Sequence, residues 1–160
     1  MLKEDLRTKL IFLAIPLGVG IFLALAVNTD YSLYQNLRQP AFAPPQFIFP
    51  IVWTVLYILM GISSYMVYSR RTGTNEVDVG AALMLYALSL ILNIAWVISF
   101  FKYQKILASV AIIFVLVIVI CAMIYAFSKV SRLAAALQLP YLVWTIFAAF
   151  LNLTIYFLND

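Results

Sequence analysis

Apolar positions in this chain do not alternate with polar ones; they gather into five long blocks. Roughly residues 10–29, 46–69, 79–101, 106–128 and 133–158 contain no Asp, Glu, Lys, Arg or His. Each block is near or above the length of about 20 residues that a helix needs to cross a bilayer. Lipid offers no partners to backbone amides, so segments of this kind must be helical. The pattern predicts an all-α integral membrane protein: one transmembrane domain over 1–160, a five-transmembrane-helix bundle with a long proline-rich first loop at 30–45. The opening "MLKEDLRTKL" mixes acids with bases, and no small-residue cleavage site closes the first block. That block reads as a retained helix and not as a signal peptide.

Composition agrees: 66% of the residues are apolar, 10% are charged and the mean hydropathy is +1.07. The net charge of +4 comes from bases scattered over segment ends. They form no patch with interleaved aromatics, so they report topology and not a nucleic-acid partner. Seven Lys and Arg fall at the N-terminus and in the second and fourth loops, against three (Arg38, Lys102, Lys105) in the first and third. The positive-inside rule then sets the N-terminus in the cytoplasm and the C-terminus outside.

The chain has no histidine and one cysteine, Cys121, read as a small buried hydrophobe. No cluster has metal-ligand spacing, so neither a metal nor a haem held through histidine is expected. All six acids and all ten bases lie at or beyond the segment ends. Pumps and ion-coupled transporters use intramembrane ionisable groups, and here there are none to use. Triads, paired carboxylates and phosphate-cradling glycine loops are also missing, which disfavours conventional hydrolytic, phosphoryl-transfer and acid–base catalysis.

The polar groups left inside the blocks stand at helical spacing: Trp53, Tyr57 and Gly61; Asn93, Trp96 and Phe100; Trp144, Ala148 and Asn152. Each triplet falls on one helix face. Indole N–H and carboxamide groups are costly to leave unpaired in hydrocarbon, so these faces should point into the bundle. Two readings fit. The residues line a ligand cavity, or the tryptophans are interfacial anchors and the asparagines join helices. Ahead of Trp53, Pro40, Pro44, Pro45 and Pro50 stiffen a segment that also carries Tyr31, Tyr34, Phe42, Phe47 and Phe49. A stiff aromatic loop suits a lid over a cavity that Trp53 faces.

"YQNLRQPAFAPPQFIFPIVWTVLYILMG" (34–61), "LNIAWVISFF" (92–101) and "LPYLVWTIFAAFLN" (139–152) resemble, in order and spacing, the three signature regions of the translocator protein family, also called tryptophan-rich sensory proteins or TspO/MBR. The resemblance implies a bundle in a bacterial-type cell membrane, homodimeric through its third helix. Its cavity under the first loop would bind porphyrins such as protoporphyrin IX, isoquinoline carboxamides and, in animal members, cholesterol. The implied lining is Tyr34, Trp53, Tyr57, Asn93, Trp96, Trp144, Phe147, Ala148 and Leu151. The sterol-recognition pattern of animal members is not met, because only "FLND" follows Tyr156. Leu33 stands where many members have a tryptophan.

Three functions follow as alternatives: a porphyrin-binding sensor, scavenger or carrier; a light- and oxygen-dependent enzyme degrading protoporphyrin IX, with Trp53 and Trp144 as redox partners and no resident cofactor; or a membrane scaffold without a ligand. For association, small residues are available at Gly18, Gly20 and Ala24 and at Gly80, Ala81 and Ala82.

Overall fold

Long apolar stretches must satisfy their own backbone in lipid, and the chain does so with helix over almost its whole length. A computed structural model describes residues 2–27, 36–71 and 76–160. Among them lie α1 (Leu2–Ala26), α2 (Ile48–Tyr68), α3 (Glu76–Val97) with a π-helical turn over Ile98–Lys102, α4 (Ile106–Val130), α5 (Arg132–Leu137) and α6 (Leu139–Asn159). Five spans are long and apolar enough to cross a membrane, the last being α5 and α6 together, Arg132–Asn159. The chain is a multi-pass, all-helical membrane bundle.

Two boundaries differ from the charge-free blocks. Helix α1 starts at Leu2 and ends at Ala26, not at 10 and 29, because a helix does not stop where charge begins. The block at 133–158 is two helices and not one. Pro140 has no N–H to donate, and its ring opposes the carbonyl of residue 136 in a continuous helix. The chain resets at Gln138, between the end of α5 and the start of α6. Ser131 opens α5, its Oγ accepting from the Ala134 N–H at 3.3 Å.

Successive spans run antiparallel. The most extensive packing is α3 on α4, α1 on α2 and α4 on α6, with the short α5 set against α2 and α4. At the end where the chain passes from α4 to α5, Ser63 Oγ donates to the Ala134 carbonyl at 2.8 Å and Arg70 Nη1 to that of Val130 at 3.2 Å. The shared core holds Leu56, Met60, Leu116, Ile120, Met123 and Phe127. Outward positions such as Met84, Ile91, Ile118 and Phe150 are exposed, as lipid-facing side chains should be. Cys121 is also exposed, a correction to its reading as buried: Ile120 and Met123 take the inner face of α4 at that level.

At the opposite end the π-helical turn closes with Tyr103 N–H on the Ile98 carbonyl at 3.1 Å. Gln104 follows at φ 53, a left-handed residue that lets α3 reverse into α4 within a few residues. The widened turn sends Phe100 toward the α6 side of the bundle and Phe101 to the cavity described below.

The α1–α2 contact is closest at Gly61. A Cβ there would lie 2.9 Å from both Leu13 Cα and the Phe12 carbonyl oxygen, backbone atoms that cannot rotate aside. Gly61→Ala should therefore cost about 1–3 kcal/mol by overpacking and lower the thermal midpoint in nanodiscs. Gly18→Ala, at a position where a Cβ meets nothing within 4 Å, should leave it unchanged. Equal midpoints in the two variants would refute the close contact.

Candidate functional site

The second span carries the site. Pro50 sits in the first turn of α2, where an N–H would have no helical acceptor. One turn later Trp53 turns inward, half-buried, with Tyr57 buried below it. The Trp53 ring lies 5.5 Å from that of Tyr57, 5.9 Å from Trp96 and 6.2 Å from Tyr141, centroid to centroid. It is the meeting point of α2, α3 and α6.

Against this aromatic face opens a cavity of about 450 Å³ between α1, α2 and the end of α3. Trp53, Thr54, Tyr57, Phe49 and Pro50 come from α2, Trp96 and Val97 from α3, and Phe101 from the π-helical turn. Leu17, Gly20, Ile21, Leu23, Ala24 and Val27 make the facing wall. Among the described lining residues none is charged. Gly20 is there for space: a Cβ would stand 2.8 Å from the Tyr57 ring. Gly20 and Ala24, offered by their spacing for association between chains, therefore face the cavity.

Hydrogen bonds hold this wall in register. Tyr57 Oη donates to Asn93 Oδ1 at 3.0 Å. Trp96 Nε1 donates to Asn152 Oδ1 at 3.3 Å, Asn152 Nδ2 donates to the Ala148 carbonyl at 2.9 Å, and Ser109 Oγ, whose one proton goes to the Ile106 carbonyl at 2.6 Å, lies 3.3 Å from the same Oδ1. One asparagine amide thus ties α3 to α6 beside α4, the joining role that intramembrane asparagine often takes.

Of the implied site residues, the structure brings Trp53, Tyr57 and Trp96 onto the cavity, with Asn93 behind Tyr57. Ala148 is buried among Trp96, Ile113 and Ala149 with Trp53 packed alongside. Trp144, Phe147 and Leu151 stand outside the cavity lining. Trp144 lies 5.8 Å from Phe49 and 5.3 Å from Phe147, and Leu151 is buried with Phe100 and Ile155. Tyr34 lies outside the described residues.

Sequence reasoning missed the α1 wall, because a helix apolar all round marks none of its faces. It also missed the buried polar residues Tyr86, Gln138 and Tyr141, although Tyr86 stands seven residues before Asn93 and Tyr141 three before Trp144, spacings that extend two of the faces. Phe49, read from the sequence among the aromatics of the lid, lines the cavity from the first turn of α2, and Phe101, not singled out there, joins it.

The first loop is fastened over the α6 end. Asn159 Oδ1 accepts from the Arg38 N–H at 2.9 Å and its Nδ2 donates to the Arg38 carbonyl at 3.0 Å. Leu37 and Ala43 pack on the Phe100–Leu151–Ile155 cluster, and Phe42 meets Phe147 at 6.4 Å. Leu37, Arg38, Phe42 and Ala43 of the loop thus lie on the fifth span, while the cavity lies on the α1 side of Trp53.

With this geometry in place, a sequence profile described as the TspO/MBR family matches residues 12–158. The chain belongs to the TspO/MBR family. It is 37% identical over 159 residues to the "Tryptophan-rich protein TspO" of Chlorobaculum tepidum, covering 96% of this chain and 99% of that one. It is 38% identical to the protein of the same name from Archaeoglobus fulgidus, covering 92% and 91%. The "Translocator protein" of Sus scrofa matches at 38% identity over 74% of this chain and 70% of its own. Membership makes this TspO/MBR protein a membrane sensory or binding protein.

The Asn159 clamp makes a specific demand on this family member. Asn159→Ala removes both bonds to Arg38 while leaving the apolar contacts of the loop. Trypsin should then cut after Arg38 several-fold faster in nanodiscs, with the thermal midpoint little changed. Equal cleavage rates would show that the apolar contacts alone hold the loop.

Proposed function

We propose that this TspO/MBR member binds lipophilic tetrapyrroles such as protoporphyrin IX in the cavity between α1, α2 and α3, acting as a sensor, scavenger or carrier. The observation that carries the reading is a cavity of about 450 Å³ walled by the Trp53, Tyr57 and Trp96 rings, with no charge among its described lining residues. That volume falls within the range of about 300–1,000 Å³ typical of small-molecule sites. Flat apolar plates gain from offset stacking on such rings. Exposed Arg38, Lys102 and Lys105 stand at the same end of the bundle, where carboxylate groups of an amphipathic ligand could remain hydrated.

Light-driven oxidation of the bound porphyrin is a second reading. Trp53, which lines the cavity, is its better redox candidate, and Trp144, packed on Phe49 and Phe147, the poorer. Homodimerisation belongs to the proposal as well. Exposed Gly80, Ala81 and Met84 offer an outward α3 surface, whereas Ala82 is turned inward.

The test is a protoporphyrin IX titration in lipid nanodiscs, in the dark, read by tryptophan fluorescence. Saturable quenching in the micromolar range is expected. Ala24→Phe, which places a ring in the cavity, should weaken binding about tenfold or more, corresponding to at least ~1.4 kcal/mol. Linear quenching, identical in both proteins, would reduce the effect to partitioning into lipid and overturn the reading.

A further inference from the structure

Behind the ligand cavity the bundle holds a group of polar side chains that the binding reading does not use. Asn93 and Gln138 are 0% exposed, Tyr141 is 1% and Tyr86 is 5%. Yet Tyr86 Oη, Tyr141 Oη, Asn93 Nδ2 and both amide atoms of Gln138 have no hydrogen-bond partner among the described residues. Tyr86 and Asn93 come from α3, Tyr141 from α6, and Gln138 is the residue just before α6, three positions ahead of Tyr141.

The neighbours leave these bonds open. Tyr141 Oη lies beside Ser89 and Asn93, and Tyr86 Oη beside Ser64, without closing a bond to any of them. Ser64 Oγ already donates to the Gly61 carbonyl at 3.1 Å and Ser89 Oγ to the Tyr86 carbonyl at 2.7 Å. The two serines can therefore only accept, while Tyr86, Tyr141 and Asn93 still have hydrogens to donate. These contacts do not reach hydrogen-bond geometry, and a small molecule that both accepts and donates would satisfy the group. The group includes no charged side chain, so an ion would lie there uncompensated. Water meets both conditions, with several polar partners available to it.

We propose that Tyr86, Asn93, Gln138 and Tyr141 bind ordered water between α2, α3 and α6, giving the ligand cavity a hydrated floor. Tyr57 is the partition: its ring is cavity wall, and its hydroxyl donates to Asn93 Oδ1 at 3.0 Å on the far side. Asn93 then turns its unpaired Nδ2 to the water. The site does not depend on what fills the cavity above it.

Two measurements decide the matter. In the unmodified protein in lipid, with carbon-13-labelled tyrosine, solid-state NMR should show magnetisation passing from water to the Tyr86 and Tyr141 rings as fast as to exposed Tyr103. Transfer no faster than to the buried Phe127 ring, labelled in a second sample, would overturn the proposal. Separately, Tyr86→Phe and Tyr141→Phe should each lower the thermal midpoint, and the double variant should lose less than the sum, because the two hydroxyls share water without touching. In a dry chamber each substitution would remove an orphaned hydroxyl. The midpoints would then hold or rise, the effects would add, and the proposal would fail.

Discussion

The bundle turns on one carboxamide. Asn152 accepts from Trp96 on α3, stands 3.3 Å from Ser109 Oγ on α4, and bonds back to its own helix at Ala148. In hydrocarbon the hydrophobic effect does not draw helices together, so packing and interhelical hydrogen bonds must do so. Each such bond is worth about 1 kcal/mol, but leaving the Trp96 N–H unpaired would cost about 1–3 kcal/mol. The amide thus fixes rotation as well as contact. With Trp96 held by its nitrogen, its ring has one orientation against Trp53, and that pair defines the inner side of the cavity.

How much of this was legible follows from what each residue type makes visible. Charge-free blocks show spans directly, since few other structures tolerate so many apolar residues in a row. Trp53, Tyr57, Asn93 and Trp96 stood out because an indole, a phenol or an amide is rare and costly in lipid, so its helical spacing names a face. The same argument says nothing of α1, where Leu17, Ile21 and Leu23 look alike whether they face lipid, α2 or a cavity. Nor does it show the break at Gln138. Pro140 was plain to read, but proline is as acceptable in a first turn as at a kink, and only packing decides between them.

The signature tryptophans also have different duties. Trp53 offers its ring to open space, Trp96 serves as wall and as donor to Asn152, and Trp144 fills the gap between Phe49 and Phe147. A shared motif therefore does not mean a shared role. The proline-rich loop illustrates the same point: its fastening comes from Asn159, 121 residues away from Arg38, an ordinary surface residue in the sequence. Stiffness was readable from the prolines, whereas the anchor was not.

How α1 seats against the cavity wall can be traced to two glycines. At Gly61 a missing side chain is filled by the backbone of α1 at Leu13 and Phe12, so the helices touch. Seven residues further along α1, at Gly20, the missing side chain is met by the edge of Tyr57, a ring and not a backbone. The Tyr57 ring is held there by the bond from its hydroxyl to Asn93. Both glycines thus let α1 come close to α2, one against backbone and the other against a ring. The cavity opens to one side of the second contact, where Leu17, Ile21 and Ala24 of α1 face Trp53, Thr54 and Phe49 across space that no larger side chain enters.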